Sequence, residues 1–217
     1  MPRVNVRVPA KINLVLAVGP LRPDGYHDLA TVFHAVSLYD DVSAEPAAEL
    51  SLEVDGAYAA GVPVDETNLA MRAARALATY AGVPAAARLH VRKRIPVAGG
   101  MAGGSADAAG ALLTCNELWG LGLDHTQLAT VAATLGSDVP FALTGGSALG
   151  YGRGERLEPV EMAGPLHWVV AVASGGLSTP EVYRRLDTLR AGVAVPEPAI
   201  DAGVVARLRS GEAESVA

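Results

Sequence analysis

Cysteine is almost absent from this chain of 217 residues, in which Cys115 is the only one. A single thiol excludes an internal disulfide and any zinc site built from several thiolates. Such scarcity is typical of proteins in a reducing compartment, so we expect a cytoplasmic location.

Positive charge and long apolar runs are also scarce. Lysine and arginine number 17 against 23 aspartates and glutamates, which gives a formal net charge of −6. Proteins that bind nucleic acid non-specifically are usually basic, so we expect no nucleic-acid partner. The longest uncharged run, Met162–Pro180, is interrupted by glycines and prolines. Because a membrane-spanning helix needs about 20 apolar residues, we expect no membrane segment.

The residues that are present indicate a folded protein of mixed class. Half of them are apolar and 18% are charged, which argues against disorder. Strand-like and helix-like patterns alternate irregularly, which predicts the α+β class. We predict helices over 68–81 with Thr67 as a candidate N-cap, from Ser105 to about Trp119, and over 126–135 behind a capping box at Asp124; we also predict a buried strand over 166–173 and a domain boundary within 155–165.

The most informative stretch is a glycine-rich loop over 95–107. Four glycines fall between positions 99 and 104, after a strand pattern and before a helical pattern that starts at Ser105. Glycine permits a close approach of the backbone to a ligand. The start of a helix offers free N–H groups and a partial positive charge. Together these features indicate an anion site suited to phosphate.

The glycine-rich loop matches neither of two common nucleotide motifs. No Lys-Ser or Lys-Thr pair follows the glycines, so the loop is not a P-loop. Its spacing, Gly99-Gly100-x-x-Gly103-Gly104, does not fit the dinucleotide pattern G-x-G-x-x-G. A tight strand-to-helix connection without a ligand is the alternative, although four glycines cost backbone entropy that such a connection need not spend.

Three further segments each allow two interpretations. Lys11 and Asn13 lie among apolar residues at a strand end, where the lysine is either a snorkelling surface side chain or a functional cation. Asp138 follows a predicted helix end and either caps the next helix or acts as a general base. Tyr26 and His27 follow a turn, where they either lie in an exposed loop or stack on and hydrogen-bond a base.

Taken in order, these segments resemble the GHMP small-molecule kinases over nearly the whole chain. The segment Asp24-Gly-Tyr-His27 is characteristic of the branch that acts on a diphosphocytidyl methylerythritol in the non-mevalonate isoprenoid pathway. The motifs that carry the resemblance are Pro9–Leu14, Asp24–His27, Ile95–Asp107, Gly136–Phe141 and Ser178–Tyr183.

The resemblance implies a reaction and a set of site residues. ATP would phosphorylate the 2-hydroxyl of that substrate, with Mg²⁺ carried by ATP and no metal site of the protein's own. Asp138 is implied as the base that takes the hydroxyl proton, and Lys11 as the cation that orients the hydroxyl and stabilises developing charge. The resemblance assigns ATP binding to Pro96, Val97, Ala98, Gly99, Gly100, Met101, Ala102, Gly103, Gly104, Ser105, Ala106, Asn68, Leu69 and Lys93, and substrate binding to Asn13, Tyr26, His27, Thr179 and Tyr183.

The resemblance also implies a two-domain GHMP kinase fold with the active site between the domains. An ATP-binding domain over 1–160 would be similar to a domain found in ribosomal proteins, and 161–217 would start an α/β-sandwich domain. Members of the family run on further, so we expect this second domain to be incomplete. Ala98, Ala102 and Ala106 stand where glycine, glycine and serine are common, and alanine does not adopt positive φ at low cost.

Other functions remain open from the sequence. One is a related GHMP kinase acting on a sugar or on mevalonate, and another is a nucleotide-binding fragment without turnover. An RNA-binding protein is disfavoured by the net charge. The expected partner is a small-molecule substrate, and the expected assembly is a monomer or a homodimer.

Overall fold

A computed structural model describes residues 3–173 and 175–211 of the chain. The described part contains one mixed sheet and six helices, which confirms the α+β class. The strands are β1 (Val4–Leu21), β2 (His27–Glu45), β3 (Ser51–Gly56), β4 (Arg88–Lys93), β5 (Ser147–Gly152) and β6 (Arg156–Pro159), and the helices are α1 (Leu69–Ala81), α2 (Gly103–Leu118), α3 (His125–Leu135), α4 (Val139–Thr144), α5 (Thr179–Leu189) and α6 (Ala202–Ser210).

The long strands β1 and β2 form the centre of the sheet. They pair antiparallel along nearly their whole length, with register shifts between Pro9 and Ala10 and again between Asn13 and Val15. The first half of β2 also pairs with β5 and its second half with β4, which gives the order β3-β4-β2-β5-β6. Beyond β4, the chain forms the glycine-rich loop and then enters α2.

Helix α2 packs directly on β1 and β2. A Cβ on Gly110 would lie 2.6 Å from Cγ2 of Val42 and 2.9 Å from Cγ2 of Val8, so only glycine permits this close approach. Helices α1 and α3 pack beside α2 and complete the larger core.

All three predicted helices form, with differences at their ends. The N-cap of α1 is Asn68 and not Thr67, because the Asn68 side chain accepts the N–H of Ala70 while Thr67 binds Asp65. Helix α2 begins at Gly103, two residues before the predicted start. The predicted capping box of α3 is present in full at Asp124.

The predicted buried strand over 166–173 is wrong. This segment has no regular secondary structure, and Val169 is fully exposed. A strand that is apolar on both faces needs neighbouring strands and covering layers, and within the described ranges no strand pairs with it. No helix in these ranges is both long and apolar enough to span a membrane.

Candidate active site

The glycine-rich loop ends in the first turn of α2, where the backbone N–H donors are uncapped. Its N-cap residue is Ala102, which has no side-chain oxygen to accept them. The N–H of Ala106 donates to the carbonyl of Ala102 at 2.9 Å and starts the helical ladder. The N–H groups of Gly103, Gly104 and Ser105 precede that bond and are the donors a helix leaves free for an anion.

Two alanines in the loop adopt the left-handed backbone conformation. The φ angles are 55° at Ala98 and 56° at Ala102, and these are the only non-glycine residues with positive φ in the described ranges. Such a conformation costs roughly 1–2 kcal/mol per residue. The loop therefore keeps the glycine-like shape at the two positions where alanine opposes it, and the surrounding structure must impose that shape.

A buried ionic cluster holds the loop from below. The Lys93 ammonium donates to Asp40 Oδ2 at 2.5 Å and to Asp107 Oδ2 at 2.7 Å. Asp40 Oδ1 also accepts the backbone N–H groups of Arg94 and Ile95, where the chain leaves β4. The cluster thus joins β2, β4 and α2 at the loop.

Asp107 and Lys93 are both buried in this cluster. The Asp107 carboxyl lies away from water, which raises its pKa to about 7 despite the nearby Lys93 ammonium. Among the described residues, nothing hydrogen-bonds its Oδ1 atom. The resemblance assigns Lys93 to ATP, but the Lys93 side chain is 2% exposed and bound by two carboxylates. The Lys93 ammonium is therefore engaged within the protein, where it joins β2 to α2 beneath the loop.

Lys11 and Asp138 meet beside this loop. Lys11 Nζ lies 3.6 Å from Asp138 Oδ2, and the Lys11 backbone N–H donates to the carbonyl of Met101 at 3.1 Å. Asp138 precedes α4 but makes no capping hydrogen bond, so the helix-cap interpretation does not hold. Its side chain is 29% exposed and open to a ligand.

A chain of hydrogen bonds orients Lys11. Its ammonium donates to Asn13 Oδ1 at 2.7 Å, and Asn13 Nδ2 donates to Thr31 Oγ1 at the same distance. The hydroxyl of the fully buried Thr31 then donates to the carbonyl of Val15. The amide of Asn13 is thus used within the protein to hold Lys11, and the sequence held no signal for Thr31.

The aromatic residues assigned to the substrate gather near α5. The ring of Tyr183 stacks on the ring of His27 with centroids 5.0 Å apart, while Tyr26 is exposed under the guanidinium of Arg153. Burial, together with the negative charge of Asp138, raises the pKa of Tyr183. Thr179 is the exposed first residue of α5.

The residues assigned to adenine lie at the start of α1. Both groups of the Asn68 amide are engaged, since Oδ1 accepts from Ala70 and Nδ2 donates to the carbonyl of Pro63. Leu69 contacts the start of α2, because a Cβ on Gly104 would lie 3.4 Å from its Cδ1. Val97, by contrast, is exposed on the loop. The structure therefore brings Leu69 to the loop but occupies the Asn68 side chain.

Few side chains of the described residues are suited to bind Mg²⁺ at this site. The described ranges hold no group of three or more His, Cys, Asp or Glu side chains that could bind a metal ion. Mg²⁺ usually keeps several waters and binds substrate phosphates with only one or two protein oxygens. The Ser105 hydroxyl in the uncapped first turn of α2 fits that mode of binding.

Comparisons with known proteins give the class first. A family model described as GHMP kinases N terminal domain matches residues 68–146. The structure is similar to a crystal structure of Leishmania major mevalonate kinase in complex with R-mevalonate, with a TM-score of 0.70, 12% identity and coverage of 98% of this chain and 71% of that one. At that identity the likeness shows the fold alone, which is that of the GHMP kinases.

Closer similarities define the family within this class. A crystal structure of 4-(cytidine 5'-diphospho)-2C-methyl-D-erythritol kinase matches with a TM-score of 0.69 and 33% identity, over 96% of this chain and 72% of that one. The 4-diphosphocytidyl-2-C-methyl-D-erythritol kinase of Streptomyces avermitilis is 58% identical over 99% of this chain and 72% of the relative. That of Salinispora arenicola is 60% identical over 89% of this chain and 62% of the relative. The chain belongs to the 4-diphosphocytidyl-2-C-methyl-D-erythritol kinase family.

Proposed function

We propose that the chain transfers the γ-phosphate of ATP to the 2-hydroxyl of 4-diphosphocytidyl-2-C-methyl-D-erythritol, a step of the non-mevalonate isoprenoid pathway. The observation that carries this proposal is the pair formed by Lys11 and Asp138, because Lys11 also binds the loop through the carbonyl of Met101. The names of the relatives supply the substrate.

The chemical step uses this pair. Asp138 takes the proton of the 2-hydroxyl as that oxygen attacks the γ-phosphorus. The bond between the γ-phosphorus and the β–γ bridging oxygen breaks, and ADP leaves with its electron pair. The Lys11 ammonium lies 3.6 Å from Asp138 Oδ2 and stabilises negative charge on the reacting oxygens. A positioned base contributes about 10²–10⁴-fold to such a rate.

ATP is bound by the loop and the first turn of α2. The free N–H groups of Gly103, Gly104 and Ser105 donate to phosphate oxygens. Mg²⁺ supplies charge neutralisation when bound, and the Ser105 hydroxyl is the protein oxygen that we assign to it. The adenine lies beside Leu69 and Val97, while the buried cluster around Lys93 holds the loop in place.

The cytidine end of the substrate is bound beside α5. Tyr26 and Tyr183 offer ring faces for the base, and His27 offers an imidazole edge. Thr179 and Asn13 complete this assignment, the latter mainly by orienting Lys11. We also propose that the domain boundary follows residue 160, just after β6, and that the protein acts in the cytoplasm as a monomer or a homodimer.

A panel of substrates tests the function. Phosphorus NMR would follow the chain with Mg-ATP and, in separate samples, the diphosphocytidyl substrate, R-mevalonate and homoserine. We expect a new phosphomonoester signal with matching ADP in the first sample alone. A product from mevalonate or homoserine instead would overturn the proposed substrate assignment. ATP binding without any product would indicate a nucleotide-binding protein without turnover and would overturn the proposed phosphate transfer.

A further inference from the structure

The imidazole of His27 is held by two residues from one face of α5. His27 is 7% exposed at the start of β2, and its Nε2 atom lies 2.8 Å from Asp187 Oδ1. Tyr183 precedes Asp187 by one helical turn, so both side chains lie on the same face of the helix. The Tyr183 ring stacks on the imidazole with an interplanar angle of 22°. Sequence reasoning named Tyr183 but not Asp187, although the helical spacing would have placed the two together.

The contact with Asp187 decides which nitrogen of His27 carries the proton. An ionised carboxylate only accepts hydrogen bonds, so Nε2 must donate its N–H to Asp187. In a neutral imidazole, Nδ1 then carries the lone pair and becomes an acceptor. Within the described ranges, Nδ1 of His27 has no hydrogen-bond partner, and it is not completely buried. This acceptor therefore keeps some exposure to solvent and has no partner among the described residues.

We propose that Asp187 is a positioning residue that selects an aminopyrimidine base through His27. The inference rests on the proposed function, which brings a cytidine diphosphate group to this part of the site. With Nε2–H bound by Asp187, the lone pair on Nδ1 accepts the exocyclic amino N–H of cytosine. Uracil carries a carbonyl oxygen at that position, and two acceptors facing each other repel.

The opposite protonation state makes the opposite prediction. A doubly protonated His27 would donate from Nδ1 and would favour a carbonyl oxygen, as in uracil. A purely structural role for Asp187, which would only fasten α5 to β2, would weaken both bases equally. The proposal therefore concerns the ratio of the affinities for the cytidine and uridine ligands, and an affinity measured for one ligand alone does not test it.

Binding measurements test the ratio without turnover. Calorimetry would compare cytidine diphosphate with uridine diphosphate on the wild-type chain and on Asp187→Asn, which keeps the shape but can also donate to Nε2. We expect wild type to prefer the cytidine ligand by about 10- to 100-fold, consistent with the cost of one unpaired buried polar group. In Asp187→Asn we expect this preference to fall at least fivefold. Glu181→Gln, on the same helix but 69% exposed, is the matched control and should leave the preference unchanged.

A nitrogen-15 NMR correlation spectrum of the histidine rings would report the His27 tautomer. We expect protonation at Nε2 alone in wild type and a mixture of tautomers in Asp187→Asn. Protonation at Nδ1 in wild type would overturn the proposal, and so would an unchanged cytidine preference in Asp187→Asn or an equal loss of both ligands.

Kinetics would then separate this proposal from the function beneath it. In an active enzyme, Asp187→Asn should raise KM for the cytidyl substrate about tenfold while kcat and KM for ATP stay within twofold. Absence of turnover in wild type would defeat the proposed function, whereas the binding ratio and the tautomer would still decide the role of Asp187.

Discussion

Asp40 and Asp107 share one buried lysine but differ in their other contacts. Asp40 also accepts two backbone N–H groups, whereas Oδ1 of Asp107 has no hydrogen-bond partner among the described residues. Donors to a carboxylate stabilise its charged form. Asp107 lacks these two backbone donors, so the Lys93 ammonium is the one described hydrogen-bond donor to its carboxyl.

This difference predicts a pH-dependent stability. Burial raises the pKa of Asp107 from 3.8 to about 7, so the folded chain holds a proton in this window that the unfolded chain has released. The contribution of Asp107 to the free energy of unfolding should thus fall as pH rises from about 4 to 7. Asp107→Asn should remove this slope, as measured by urea unfolding at pH 5 and pH 8. Asp124→Asn, an exposed cap on α3, should keep it, and an equal slope in Asp107→Asn would refute the assignment.

At the scale of elements, the loop and α2 form one unit around Ala102. Its positive φ of 56° lies at the N-cap, whereas Ala106 is helical and buried one turn later. Glycine at position 102 would relieve the backbone strain of the positive φ. Glycine at position 106 would raise the conformational entropy of the unfolded chain and leave a small cavity in the folded one. The same substitution should therefore have opposite effects at the two positions.

We expect Ala102→Gly to be neutral or stabilising and Ala106→Gly to cost about 1 kcal/mol. Urea unfolding of the two variants beside wild type gives both values. If Ala102→Gly destabilised the chain as much as Ala106→Gly, the strain inferred at the N-cap would not exist.

The elements also show how far sequence reasoning extends. The helices and the glycine-rich loop were predictable because capping residues and apolar spacing are local signals. Asp40 could not be placed, since its partner Lys93 is 53 residues away and only the pairing of β2 with β4 joins them. The segment over 166–173 has the composition of a buried strand, but a strand also needs neighbours, and no local pattern supplies them.

At the scale of the whole molecule, the described part of 161–211 contacts the sheet and the loop at separate points. A Cβ on Gly176 would meet the Cβ of Ala98 at 2.5 Å, so this segment passes very close to the loop. Arg190 donates to the carbonyl of Val18, and Leu208 packs in a small cluster with Val32. The described residues over 161–173 and 175–178 are irregular and mostly exposed, which is the kind of surface that proteases prefer.

Limited digestion with chymotrypsin should therefore cut first between Trp168 and Leu177. These side chains are 45% and 75% exposed in an irregular segment, whereas Tyr80 is 48% exposed but held in α1. Mass spectrometry of early digests should show an N-terminal fragment that retains the sheet. A first cut after Tyr80 would contradict the boundary proposed near residue 160.

The base assigned to the reaction can be tested by one comparison of kcat. Asp138→Asn and the matched control Asp124→Asn would be assayed for ADP release with saturating Mg-ATP and the diphosphocytidyl substrate, with ATP affinity measured by calorimetry. If Asp138 takes the hydroxyl proton, its variant should lose about 10²–10⁴-fold in kcat while ATP affinity changes less than threefold and the control stays active. A kcat near the wild-type value in Asp138→Asn would contradict the mechanism, whatever the family of the chain.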